Sequence, residues 1–396
     1  TIMKKITLQQ YFDKLSKQAV QHGVNVQAGD TVIINCPLEC VQFSHVISET
    51  AYQQGAKQVL IEYQDQKQSN IRLKYEQESS MLDIPDWFVQ KKLLYNRADC
   101  CHISILNYDG SEPNNPKLQS KYRSAVRTLC HQFYDDCNAS KTRWTLVVCP
   151  TQEWADKVFP NQPNNFDLLT QSLYNACSLD GDLSKLNKQL HEMALKLNGL
   201  KLTRLEYKSE KLGTNLSVGL HKPIWVGGSE FTPQGIEFNP NLPSYEIFSA
   251  PHKDQVDGFV ALTKPVEING TQCEGVKFWF QKGKVVDFSC QKEQKQIISD
   301  FLALKGANQL GEVALVSQNS PVSRENVVYF ETLLDENASC HFALGDSYDI
   351  CGEDPQVMNS GEVHVDFMVG CDDLRVVGTC EDGKEVLVME NGQIVL

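Results

Sequence analysis

Residues that could bind divalent cations are concentrated in five short segments between positions 246 and 366. Carboxylate oxygens and imidazole nitrogens are ligands for hard or borderline divalent ions, and there are more carboxylates here than one ion needs. The sequence therefore predicts a hydrolytic site with two metal ions held about 3.5–4 Å apart by bridging carboxylates. The candidates are Glu246 in SYEIF, Glu312 in LGEV, Glu336 and His341 in DENASCH, Tyr348 in GDSY, and His364 with Asp366 in VHVDF.

The segment VHVDF carries the sharpest local pattern. In a β-strand, residues two apart lie on the same face, so His364 and Asp366 project together while the apolar residues pack behind them. A buried aspartate beside a histidine needs a charged partner, and a cation is one of few adequate ones. The alternative is a surface strand with both polar residues on its solvated face.

The segment around His341 predicts a helix over about residues 328–344 that Gly345 ends. In that helix Glu336 lies near the start, where its carboxylate either reaches a metal or stabilises the helix dipole. Tyr348 falls just past the end of the helix. Cys340 beside His341 resembles a Cys-His nucleophile, but adjacent residues on a helix point apart, which favours a core role for the thiol.

Glu312 and Glu246 each lie next to apolar, strand-like sequence. Either one could be an exposed residue at a strand end, because most acidic residues are only solvated or capping. The presence of six candidate ligands within about 120 residues is more informative than any one of them alone. The set as a whole favours a metal site.

The chain of 396 residues is longer than a single hydrophobic core usually serves, which predicts domains over 1–198 and 199–396. In the first half, helical stretches separate the apolar runs TVIINC, QVLIEY, HISIL and TLVVC. This alternation predicts an α/β domain with a doubly wound, mostly parallel sheet. Neither glycine-rich phosphate-binding motif occurs, which argues against nucleotide binding.

The second half predicts an α+β metal-binding domain. Short alternating segments are broken by Gly, Pro and Asn, and two helical patterns interrupt them at about 293–305 and 328–344. Hairpin turns are predicted at Lys282-Gly283, Asp382-Gly383 and Asn391-Gly392.

Charge and composition predict a cytoplasmic protein with neither nucleic acid nor membrane as a partner. The net charge of −13 argues against binding to nucleic acid or anionic lipid. No window approaches the roughly 20 apolar residues of a membrane span, and no apolar region follows the basic pair near the start. The fourteen cysteines lack a C-x-x-C pattern, which favours reduced thiols in the cytosol.

The motifs resemble, in their order, those of the M29 (thermophilic) family of metal-dependent aminopeptidases. The matching segments are NLPSYEIFSAPHKDQVDG, QLGEVALV, FETLLDENASCHFALGDSY and EVHVDFMVG, within about residues 214–370. The resemblance implies a cytosolic homodimer that removes N-terminal residues from peptides, with two divalent ions (Zn, Co, Mg or Mn) per subunit. It implies that Tyr348 is the active-site tyrosine and that the metal ligands are Glu246, Glu312, Glu336, His341, His364 and Asp366.

On this hypothesis two ions activate water and polarise the scissile carbonyl. Glu312 or Asp366 bridges the ions. A carboxylate that is not fully used as a ligand passes a proton to the leaving amine, and Glu312 is the first choice for this role and Glu336 the second. Tyr348 hydrogen-bonds the oxyanion.

Two other functions are compatible with the ligand set. A two-metal phosphoesterase would also need Lys or Arg to hold phosphate, and the ligand segments contain little beyond Lys253. A metal-stabilised binding protein would more typically use a closed site rich in Cys or His.

Overall fold

The computed structural model describes residues 5–108, 110 and 113–396, which form two compact units. The first unit contains the described residues up to Leu183 together with Ser229–Pro243. The second contains Ser184–Gly228 together with Ser244–Leu396. Within the described residues, the helices fall short of the length and apolarity that a membrane span requires.

Helices and strands alternate in the first 200 residues, as predicted. The helices are α1 (Leu8–Gln18), α2 (Val41–Gln54), α3 (Gln66–Tyr75), α4 (Glu78–Met81), α5 (Asp86–Leu94), α6 (Pro116–Leu129), α7 (His131–Asn138), α8 (Gln152–Val158), α9 (Asn165–Ala176) and α10 (Leu183–Leu200). The strands are β1 (Thr31–Pro37), β2 (Gln58–Gln64), β3 (Cys100–Leu106) and β4 (Arg143–Val148).

These strands form a parallel sheet in the order β2-β1-β3-β4. Because the chain starts at an inner strand and extends to both sides, the predicted doubly wound α/β architecture is confirmed. β1 and β3 are almost entirely buried, as expected for parallel strands covered on both faces.

The remainder of the chain is mostly strand. The strands are β5 (Leu202–Ser209), β6 (Thr214–Gly219), β7 (Val226–Gly227), β8 (Glu230–Phe231), β9 (Glu237–Phe238), β10 (Ile247–Ser249), β11 (Val256–Ala261), β12 (Val266–Ile268), β13 (Thr271–Cys273), β14 (Lys277–Gln281), β15 (Lys284–Ser289), β16 (Leu310–Leu315), β17 (His341–Gly345), β18 (His364–Met368), β19 (Arg375–Cys380), β20 (Glu385–Glu390) and β21 (Gln393–Ile394). The helices are α11 (Lys295–Leu302), α12 (Pro321–Arg324) and α13 (Thr332–Glu336).

Two antiparallel sheets dominate the second unit, which confirms the predicted α+β class. One has the order β15-β14-β11-β6-β5-β19-β20-β21, and it includes the three predicted hairpins. The other, here called the site sheet, has the order β18-β17-β16-β10-β7. Aromatic pairs join the sheets: the ring centroids are 4.9 Å apart for Tyr207 and Phe342, and 5.4 Å apart for Phe278 and Phe367.

The predicted helix over 328–344 is wrong, because only α13 forms and His341 begins strand β17. The sequence from His341 to Gly345 alternates between the two faces of the sheet rather than following a helical period. Gly345 has a φ of +112°, and a Cβ there would lie 1.8 Å from the carbonyl oxygen of Val363 on the neighbouring chain segment. Because α13 ends at Glu336, this carboxylate lies at the C-terminal end of a helix and not at its start. The helix-dipole explanation for this carboxylate therefore fails.

Candidate active site

Alternation along the strands divides the site sheet into an apolar face and a polar face. Phe342, Leu344 and Phe367 lie on the apolar face and belong to the hydrophobic core. The residues at alternate positions, such as His341 and Asp366, lie on the opposite face. Side chains from distant parts of the chain therefore converge on this second face.

Glu312 occupies the centre of the polar face, between two histidines. Its Oε1 lies 4.0 Å from Nε2 of His341, and its Oε2 lies 3.1 Å from Nε2 of His364. Each histidine has a second carboxylate: Nε2 of His341 is 3.0 Å from Oε2 of Glu246, and Nε2 of His364 is 3.2 Å from Oδ1 of Asp366. Glu312 therefore lies between two histidine–carboxylate pairs, one formed by His341 with Glu246 and the other by His364 with Asp366.

The structure brings together all six residues predicted as metal ligands. They form three overlapping groups, and in each group one ligand atom from every member lies within 4.8 Å of the others. The groups are Glu246, Glu312 and His341; Glu312, His364 and Asp366; and Glu336, His341 and Asp366. Overlapping groups of this kind can hold more than one ion. The role of each residue in the reaction remains a prediction.

Backbone carbonyls orient both histidine rings. Nδ1 of His341 is 3.0 Å from the carbonyl oxygen of Ser339, and Nδ1 of His364 is 2.8 Å from that of Asp346. A carbonyl oxygen can only accept, so each Nδ1–H must donate. This leaves both Nε2 atoms directed at the carboxylates, which is the usual way that proteins orient metal-binding histidines.

The charge of the cluster tests whether these residues fit divalent ions. Glu246, Glu312 and Glu336 are only 6%, 4% and 8% exposed. Burial, followed by the charges of Asp366, Glu246 and Glu312, raises the pKa of Glu336 well above its usual value. Burial alone would lower the pKa of His341, but the Glu246 carboxylate raises it to about 9. Three buried carboxylates and the half-buried Asp366 therefore attract positive charge strongly, and divalent cations suit that donor set.

In the part of the chain that the structure describes, the cationic side chains paired with these carboxylates are the two histidines. Lysine and arginine do not supply the missing positive charge there. The excess of negative charge in the cluster and the types of its ligand atoms thus both favour divalent cations.

A β-bulge positions Glu312. The register of β16 against β17 shifts between Leu310 and Glu312, and Gly311 is the extra residue. A Cβ at Gly311 would lie 2.2 Å from the carbonyl oxygen of Gly345, so only glycine fits. Bulges of this type redirect side chains beside active sites.

Tyr348 lies past the end of β17, next to the cluster. Its ring centroid is 4.9 Å from that of His364 and 5.8 Å from that of Phe248. The charge of His364 alone would lower the pKa of Tyr348, but burial and the carboxylates of Glu312 and Asp366 outweigh it and raise that pKa. The hydroxyl is protonated at neutral pH and can donate a hydrogen bond.

Asn337, which is not among the residues predicted from the sequence, joins two of the ligand segments. It is fully buried. Its Oδ1 accepts a 2.6 Å hydrogen bond from the backbone N–H of Tyr245, and its Nδ2 donates to the carbonyl of Leu333 at 2.8 Å. Since Tyr245 precedes Glu246 and Asn337 follows Glu336, one amide fixes the positions of both carboxylates.

We expect Asn337→Ala to weaken both folding and metal binding. The change leaves the N–H of Tyr245 and the carbonyl of Leu333 without these partners, which should lower the unfolding free energy by about 2 kcal/mol. Misplaced ligands should weaken metal affinity about 10–100-fold. Denaturant unfolding and metal titration measure the two effects. Asn215→Ala, at an exposed position on β6, is the control, and equal effects in both variants would contradict the assigned role.

Cys340 points away from the cluster. Its Sγ lies in the hydrophobic core, 3.2 Å from Sδ of Met389, while His341 lies on the opposite face of β17. The thiol is a core residue, as predicted, although the helix on which that prediction was based does not form.

Comparisons with known proteins agree with this site. The model of the family described as thermophilic metalloprotease (M29) matches residues 8–394. The chain is 33% identical over 401 residues to Aminopeptidase 2 of Geobacillus stearothermophilus, with 96% of each chain covered. It is 31% identical over 408 residues to Aminopeptidase T of Thermus thermophilus, covering 97% of this chain and 98% of the relative.

A solved structure, wild-type AmpT from Thermus thermophilus, is similar over almost the whole chain. The TM-score is 0.91 at 30% identity, and the match covers 98% of this chain and 100% of that one. The chain belongs to the M29 family of thermophilic metalloproteases, and it is a metal-dependent aminopeptidase.

Proposed function

We propose that this enzyme removes N-terminal residues from peptides with two divalent ions held in the cluster around Glu312. The observation that carries the proposal is the position of Glu312 between two histidine–carboxylate pairs. One pair, Glu246 with His341, would serve one ion, and the other, His364 with Asp366, would serve the second. Glu312 would be shared by both.

Glu336 completes the donor set, because it groups with His341 and Asp366. Four carboxylates and two imidazoles suit zinc, cobalt, magnesium or manganese. When bound, the ions would supply the Lewis acidity that activates water at neutral pH and polarises the scissile carbonyl.

The side chains of the cluster would then move the proton and stabilise charge. A carboxylate that the ions do not fully use, Glu312 in first place and Glu336 in second, would accept a proton from the attacking water and pass it to the leaving amine. The Tyr348 hydroxyl donates a hydrogen bond to the carbonyl oxygen as that oxygen becomes negative. One such donor is typically worth about 10²–10³ in turnover. The net charge of −13 would also favour the approach of the substrate's terminal ammonium.

A side-by-side assay tests the proposal. Leucyl-anilide, arginyl-anilide, N-acetyl-leucyl-anilide and a phosphate ester are incubated with the protein before and after chelation, and cobalt or zinc is then added back. We expect metal-dependent hydrolysis of the free aminoacyl anilides alone, because the blocked substrate lacks the terminal amine. Hydrolysis of the phosphate ester, or aminoacyl hydrolysis that survives complete chelation, would refute the proposal.

The proposal includes a homodimer that acts in the cytoplasm. Free, mostly buried thiols suit a reducing compartment. Light scattering should give twice the chain mass of 44.6 kDa, and cell fractionation should recover the protein with cytoplasmic markers. A monomeric mass or an extracellular protein would contradict these two points.

A further inference from the structure

The polar face of the site sheet continues beyond the metal ligands into apolar residues. Backbone pairing places His341 opposite Ala314, Ala314 opposite Phe248, and Phe248 opposite Val226. These four residues form one row across neighbouring strands, which are spaced about 4.8 Å apart. Phe248 is therefore two strands from a ligand histidine and on the same face.

Four half-buried side chains form an apolar wall at this place: Val226, Phe248, Tyr348 and Ile350. They pack against the buried residues Ala250, Cys351 and Met358. The wall is therefore supported by buried residues while its own side chains stay partly accessible to solvent. Its member Tyr348 touches the metal-ligand cluster through the ring of His364, so the accessible apolar surface begins beside the reacting groups.

Hydrogen bonds hold the wall in a fixed position. The loop that carries Tyr348 is closed at its ends by Ser347 N–H donating to the Asn359 carbonyl at 2.9 Å, and by Asn359 N–H donating to Ser347 Oγ at 3.2 Å. The Ser249 hydroxyl on β10 donates to the carbonyl of Ile224 at 2.9 Å and lies 3.3 Å from that of Cys351, the alternative acceptor. A preformed surface of this kind is able to discriminate between substrates.

We propose that the apolar wall contacts the side chain of the substrate's N-terminal residue and selects apolar residues such as leucine and phenylalanine. This rests on the proposed function. The terminal amine and the scissile carbonyl are attached to the same Cα, so anchoring both at the cluster leaves the side chain within a few ångströms of it. The wall begins within that reach at Tyr348, whose hydroxyl is proposed to contact the carbonyl, and it continues to Phe248, whose ring centroid lies 5.8 Å from that of Tyr348. A lysine or arginine side chain would lose hydration there without gaining an ion pair from the wall, so arginyl-anilide should be cleaved, but more slowly than leucyl-anilide.

The test compares kcat/KM for leucyl- and alanyl-anilide, which share one leaving group. Phe248→Ala should lower the leucyl-to-alanyl ratio about tenfold, since a few methylene contacts in an apolar pocket are worth that much. Val226→Phe puts a larger side chain beside Phe248, its partner on the neighbouring strand, and should lower the same ratio while alanyl hydrolysis persists. Phe259→Ala is the matched control, because Phe259 is a half-buried aromatic residue on β11 of the other sheet. The leucyl-to-alanyl ratio of this variant should stay unchanged.

An unchanged ratio in both wall variants would overturn the inference. So would a selectivity change that appears only when the leaving residue of a dipeptide is varied, because the wall would then serve the other side of the scissile bond. Failure of the proposed function is distinguishable, since the wild-type protein would then cleave neither anilide.

Discussion

Glu312→Gln is expected to lower kcat/KM for leucyl-anilide by at least about 10³-fold while leaving the fold intact. Each oxygen of Glu312 is directed at a different histidine of the cluster. An amide cannot provide two anionic oxygens, so both ions would lose a ligand and the reaction would lose a proton carrier, a role worth about 10²–10⁴ by itself. Glutamine has nearly the same shape, and its neutrality relieves repulsion among the buried carboxylates. The unfolding free energy of the metal-free variant should therefore not fall.

Steady-state kinetics and circular dichroism of the purified variant measure the two parts of this prediction. Glu362→Gln is a suitable control, since Glu362 is an exposed carboxylate two residues before His364. It should retain activity within about twofold, because substitutions of exposed side chains usually have small effects. Wild-type turnover in Glu312→Gln would remove Glu312 from the mechanism.

Removal of metal is expected to lower the stability of the protein as well as its activity. Without cations the cluster retains three buried carboxylates and the half-buried Asp366, and burial, followed by repulsion from the neighbouring carboxylates, raises the pKa of Glu336. An ion present at 100 times its dissociation constant stabilises the folded state by about 2.7 kcal/mol per site. Unfolding is measured after chelation and again after cobalt or zinc is restored.

The same measurement on Glu312→Gln is the control for site-specific stabilisation. In that variant the restored metal should give a much smaller gain than in the wild type. An equal gain in both proteins would mean that the stabilising ions bind elsewhere.

Local sequence patterns were sufficient to predict much of the fold. The parallel strands β1 to β4 are short apolar runs between helical stretches, and the Gly-containing turns define the three hairpins. The pairing of His364 with Asp366 also follows from local geometry, because residues two apart on a strand share a face.

The rest of the site depends on contacts between distant segments. Glu246, Glu312 and His364 meet only because β10, β16, β17 and β18 are adjacent in one sheet, and local patterns do not encode that strand order. Local patterns also gave the wrong helix over 328–344, since β17 is short and Gly345 also resembles a helix end. The signal for a strand was that His341, Ala343 and Gly345, which are polar or small, alternate with large apolar residues.

Anomalous diffraction from crystals loaded with cobalt or zinc tests the central claim most directly. We predict two peaks per chain inside the cluster, about 3.5–4 Å apart, with the carboxylate of Glu312 in contact with both. A single peak, or peaks remote from Glu312, would contradict the two-metal site.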